Sequence, residues 1–156
     1  SEKIREIMET NFFGTLNCVM AVNNYFREKK SGHISIVSSV AGYRGLPAAS
    51  GYCASKSALI SLAESLYFDF KRHNVRVSLV NPGFIKTPMT DKNKFPMPMI
   101  KSAEFAAEKM FIGLTKKNAF EIHFPIVFTM IMKFLKIMPN WLYFLIVGKG
   151  MEKIKL

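Results

Sequence analysis

The chain has only two cysteines, Cys18 and Cys53. Each falls in a segment with a helical pattern. Two isolated thiols make neither a disulfide framework nor a metal set, and they suit a reducing compartment. Zinc-finger spacing is missing, and so is any basic-aromatic array of the RNA-binding kind, which argues against a nucleic-acid partner. Acidic residues are scarce: eleven Asp and Glu stand against twenty-two Lys and Arg, a formal charge of +11. Such an excess speaks about partners and not about fold. An anionic membrane surface or a phosphorylated ligand fits it better than nucleic acid. No uninterrupted apolar run reaches the roughly 20 residues of a membrane-spanning helix. Ser1 to Thr10 is charged and is not a signal peptide. No initiator Met precedes a start that already reads as helix interior, so the chain is expected to be a piece of a longer polypeptide.

What is present can build a core. The 156 residues are 49% hydrophobic, enough for one domain. Ser1 to about Lys29 repeats apolar residues at helical spacing: Ile4, Ile7, Met8, Phe12, Leu16, Val19 and Phe26. Gly32 suits the end of that helix. Asn11 sits mid-helix near the apolar stripe, where a buried amide needs a partner. His33 to Ser38 and Val75 to Val80 read as β-branched strands, the second stopped by Asn81-Pro82-Gly83. Between them, a loop over Val40 to Ser50 leads into a helix from about Gly51 to His73. Phe84 to Ile100 carries Pro88, Pro96 and Pro98 and reads as a loop or broken helix. Ser102 caps a helix to about Lys116, and Ala119 to Phe124 is a third strand.

That alternation is the rhythm of a parallel α/β sheet with right-handed crossovers. Ligands of such sheets sit at the carboxyl ends of the strands. Ser39 and the Asn81-Pro82-Gly83 turn both fall there, and Tyr52 opens the helix that leaves the same edge. Within Tyr52-Cys53-Ala54-Ser55-Lys56, a phenol and an ammonium lie four residues apart on one helix face. A free Tyr holds its proton to a pKa of about 10, and a nearby cation favours the phenolate. The pair reads as an acid/base device.

These segments together resemble the C-terminal part of a classical short-chain dehydrogenase/reductase. The likeness rests on Asn11, on Ile36-Val37-Ser38-Ser39-Val40-Ala41-Gly42, on Tyr52-Cys53-Ala54-Ser55-Lys56, and on Asn81-Pro82-Gly83-Phe84-Ile85-Lys86-Thr87-Pro88. It implies a Rossmann-like, doubly wound parallel sheet. It also implies hydride transfer between NAD or NADP and a small hydrophobic alcohol or carbonyl substrate. Implied roles follow. Tyr52 is the acid/base, Ser39 holds the substrate oxygen, and Lys56 tunes Tyr52 and contacts the cofactor ribose. Asn11 completes a proton relay. Tyr52, Lys56, Pro82, Gly83, Ile85 and Thr87 seat the nicotinamide end, and no metal is implied. The family's glycine-rich pyrophosphate turn has no counterpart here, nor has its Asn-Asn-Ala-Gly segment. The expectation is therefore an incomplete sheet, the catalytic half without most of the cofactor half. A truncated, non-catalytic relic acting as an interaction or membrane-peripheral module is the rival reading.

Residues 1–124 are expected to form the catalytic part and 125–156 an apolar, basic tail. Lys133, Lys136 and Pro139-Asn140 interrupt the tail, which predicts two short helices, the second capped by Asn140. With Trp141 and Tyr143, the tail suits a membrane interface. It suits equally a substrate lid or a subunit contact, so a homo-oligomer stays open. The expected location is cytoplasmic, with membrane-peripheral contact as the alternative.

Overall fold

Alternate residues of a strand face opposite sides of a sheet, and here the two sides recruit different helices. The computed structural model describes residues 1–93 and 95–152. Strands β1 (Gly32–Val37), β2 (Val75–Pro82) and β3 (Glu121–Phe124) form a parallel sheet in that order. Ile34, Ile36, Val75, Val77 and Leu79 turn to one side. There they pack against Leu59, Ile60, Ala63 and Phe70 of α3 (Ser50–Lys71). Helices α1 (Glu2–Met8) and α2 (Gly14–Lys29) complete that layer. Val80, Ile122 and Phe124 turn to the other side, against Ala106 of α4 (Ala103–Thr115). Ser102 caps α4 as expected, accepting the Phe105 amide at 3.2 Å. With helices on both faces, this is a partial Rossmann-like, doubly wound sheet.

Helix α4 covers β2 and β3 only, so the reverse face of β1 is bare, with Val37 45% exposed. Among the described residues β1 pairs with β2 alone. The tail forms α5 (Ile126–Ile137) and α6 (Asn140–Glu152). No helix among the described residues is long and apolar enough to cross a membrane.

Four expectations are corrected. The first long helix is interrupted by a π-helical turn at Glu9–Phe13. Lys30, at φ 50°, takes its left-handed cap, and Gly32 opens β1 instead. Strand β2 runs on through Asn81 and Pro82, because Asn81 pairs with His123 and Pro82 with Phe124 on β3. Asn140 does not cap α6: its Oδ1 accepts from Arg44 at 2.5 Å.

Candidate active site

The carboxyl ends of β1 and β2 are tied together, and the candidate groups hang from that seam. The Ser38 amide donates to Val80 O at 2.8 Å, and the Ser39 hydroxyl lies 3.4 Å from Pro82 O. Ser39 also caps the short 3-10 turn Val40–Gly42, its Oγ accepting the Ala41 amide at 3.2 Å. The Ser38 hydroxyl donates to Lys56 O at 2.7 Å, pinning α3 to the end of β1. Gly42 lets this loop meet α3: a Cβ there would stand 2.7 Å from Lys56 O, closer than packing allows. Ser39 is thereby buried beside the first turns of α3.

Tyr52 and Lys56 lie one turn apart. The Lys56 ammonium is 5.7 Å from the centre of the Tyr52 ring and donates to Val37 O at 3.2 Å. Burial raises the Tyr52 pKa, and the Ser39 hydroxyl works against it by stabilising the phenolate. Burial lowers the Lys56 pKa, since an ammonium out of water favours its neutral form. Tyr52 nevertheless stays 37% exposed, so its ring is reachable from solvent.

Asn11 reaches the same cluster by one intermediary. Its Nδ2 donates to Ser55 Oγ at 3.0 Å, and Ser55 Oγ donates to Tyr52 O at 2.8 Å. Asn11 lies in the π-helical turn, where the usual hydrogen-bond spacing is broken. Its own carbonyl accepts the Thr15 hydroxyl at 2.8 Å. Asn11, Ser39, Tyr52 and Lys56 are thus drawn around one corner of the sheet. Pro82 joins them through Ser39. Gly83 packs instead against Phe128 of α5, where an added Cβ would come within 2.8 Å of the ring. Ile85 and Thr87 are held further along, by Thr90. The Thr90 hydroxyl donates to Ile85 O at 2.7 Å and accepts the Thr87 amide at 2.8 Å.

A second polar cluster was not foreseen. Glu121 on β3 accepts from the Tyr43 hydroxyl, from Asn81 Nδ2 at 2.7 Å and from the Lys133 ammonium at 2.5 Å. Burial alone would raise the Glu121 pKa; these three donors outweigh it and hold the carboxyl below its ordinary value. Burial, and then Glu121 itself, push the Tyr43 phenol far up. One carboxylate therefore joins the loop after Ser39, the end of β2 and the tail. Arg44, next in the chain, donates to Leu135 O at 2.6 Å and Met138 O at 2.5 Å, and its guanidinium lies 4.0 Å from the centre of the Tyr143 ring. These pairs join residues 78 and 91 positions apart, a separation that no local spacing signals. A cavity of about 260 Å³ lies between Gly45, Pro47, Tyr143, Phe144, Val147 and Gly148. None of the four candidate catalytic residues lines it. Among the described residues there is no cluster of metal-ligating side chains.

An open parallel α/β sheet takes its ligand in the crevice at the carboxyl ends of its strands, and Ser39, Tyr52 and Lys56 are gathered at that edge. A family model described as short chain dehydrogenase matches residues 1–96, and the chain belongs to that family. It is 38% identical over 142 residues to an uncharacterized oxidoreductase of Myxococcus xanthus, covering 91% of this chain and 56% of that protein. It is 38% identical over 90 residues to a 3-ketodihydrosphingosine reductase of Bacteroides thetaiotaomicron, covering 58% of this chain and 34% of that one. A short chain dehydrogenase from Burkholderia cenocepacia, solved in complex with NADP, superposes with a TM-score of 0.74 at 30% identity. That match covers 84% of this chain and 54% of the other. The chain spans about half the length, or less, of these relatives.

Proposed function

We propose that these residues are the catalytic part of an NAD- or NADP-dependent oxidoreductase that interconverts a hydrophobic alcohol and its carbonyl compound. The observation that carries this reading is the gathering of Ser39, Tyr52, Lys56 and Asn11 at one corner of the sheet. The donor set fits the nicotinamide-ribose end of the cofactor. Lys56 has three N–H donors and spends one on Val37 O among the described residues, leaving two for hydroxyls. The pyrophosphate end is different: none of the 156 residues supplies a glycine-rich turn before a helix. When bound, the nicotinamide would supply or take the hydride.

The chain's own residues handle the oxygen. Tyr52 gives its proton to a carbonyl oxygen that gains alkoxide character, or takes it back in the reverse direction. Ser39 aims a second hydroxyl at the same oxygen. The Lys56 ammonium favours the phenolate that remains, and Asn11 fixes Ser55 and with it the first turn of α3. Pro82, Gly83, Ile85 and Thr87 line the nicotinamide side. A hydrophobic substrate is supported by the segment leaving β2, which exposes Met89, Phe95, Met99 and Ile100. The relative named for a keto compound supports the carbonyl chemistry.

The test is consumption of NADH or NADPH with a panel of hydrophobic ketones, run on the complete polypeptide and on these 156 residues alone. Turnover is expected from the complete polypeptide and none from the 156 residues. Absence of turnover from both, in a complete polypeptide without a glycine-rich turn, would favour the non-catalytic interaction module.

A further inference from the structure

Helix α5 is apolar on two sides: Phe128, Met132 and Leu135 pack on the core, and a second apolar stripe faces solvent. At about 100° per residue, Ile126, Val127, Met130, Ile131, Phe134 and Ile137 fall within an arc of roughly 140°. All six point to solvent, with exposures from 47% to 78%. Two polar anchors flank that stripe. Thr129 is fully buried and bonded to His123 at 2.6 Å, and Lys133 is paired with Glu121. Rolling the helix to hide this stripe would break both bonds and pull Met132 out of the core. Helix α6 also exposes apolar side chains, with Trp141 at 69% and Phe144 at 65%.

We infer that this face docks on the surface of an anionic lipid bilayer. Charge chooses the occupant. From Pro125 to Leu156 the sequence has five Lys and one Glu, 5 − 1 = +4, on a chain of +11. Lys136 and Lys149 are both exposed. A second copy would bring the same lysines together, whereas acidic headgroups neutralise them. The apolar stripe enters the headgroup boundary with α5 and α6 lying flat, and the lysines stay at headgroup level. Arg44 and Glu121 hold the tail to the catalytic corner, so docking would set that corner near the membrane surface. The inference stands on the tail alone and is independent of the reaction.

The experiment is sedimentation of the complete protein with vesicles of phosphatidylcholine alone or with a phosphatidylserine fraction. Trp141, the only tryptophan of this chain, reports insertion by a blue shift of its emission, with Trp141→Phe as the control. Binding is expected only with phosphatidylserine, at least tenfold weaker in high salt. The doubly substituted Phe134→Gln/Ile137→Gln protein changes solvent-facing residues and should keep its circular dichroism while losing the vesicles. Lys149→Glu should weaken binding to acidic vesicles. Absence of sedimentation with any vesicle would overturn the inference. So would undiminished binding by the Phe134→Gln/Ile137→Gln protein, or a dimer on gel filtration that this variant abolishes.

Discussion

The two polar clusters of this molecule treat their side chains differently. Around Glu121, most polar groups find partners: the carboxylate has three donors, and Arg44 has three backbone or side-chain acceptors within 2.6 Å, while Asn81 Oδ1 is buried without a partner. Around Tyr52, they are left short. Lys56 makes one side-chain bond among the described residues, and Tyr52 meets solvent on the side away from α3. A densely bonded cluster fixes geometry, because its paired members would be costly to move once buried. An unsaturated one keeps donors free for something that arrives. The first cluster is a brace between the tail and the sheet, and the second is where chemistry has room.

Substitutions at three positions sharpen that contrast. Ser39→Ala in the complete polypeptide removes one of two hydroxyls aimed at the substrate oxygen. Turnover is expected to fall by about 100- to 1,000-fold, as when one donor to a developing oxyanion is lost. Stability should fall only by about 1 kcal/mol, the loss of the cap on the Val40–Gly42 turn, since the Ser39 bond to Pro82 is long. A large drop in melting temperature would mean that Ser39 belongs to the brace.

Glu121→Ala should act in reverse, costing about 2–3 kcal/mol in urea unfolding by orphaning Tyr43, Asn81 and Lys133. The pH dependence has a definite sign. The folded carboxyl is held below its ordinary value by its donors. Its contribution is therefore complete above about pH 4.3 and fades as pH falls through the lowered folded pKa. Glu121→Gln should flatten that acid limb. Unchanged acid sensitivity in Glu121→Gln would remove the carboxylate from the brace. Smallest is Arg44→Ala, expected to cost about 1–2 kcal/mol through lost bonds to α5 and the lost stack on Tyr143. Hydrogen exchange should then quicken in α6 and not in α3; equal quickening in both would deny the clamp its local role.

Legibility in the sequence followed the range of each interaction. Strands, crossovers and the i, i+4 pair of Tyr52 and Lys56 are local patterns, and the structure has them close to where the spacing puts them. Ser102 at the head of α4 is local too. The π-helical turn around Asn11 was hidden, because the same apolar spacing serves an unbroken helix. The extension of β2 through Pro82 depends on where β3 pairs, which β2 itself does not encode. Asn140 has the chemistry of a cap and was claimed by Arg44, a residue 96 positions away. The expected effect of Lys56 on Tyr52 was argued from charge alone. In the fold, burial pulls the phenol the other way, and Ser39 opposes it. The tail's two helices were visible from Pro139, whereas the outward turn of the apolar stripe depends on Glu121 and His123.

Tyr52→Phe tests the central claim most directly, measured as turnover beside calorimetric affinity for NADH and NADPH in the complete polypeptide. The substitution removes one hydroxyl and keeps the ring. Turnover should fall by about 100- to 10,000-fold, the range of a lost general acid, while cofactor affinity stays within about twofold. Near-normal turnover in Tyr52→Phe would contradict the account.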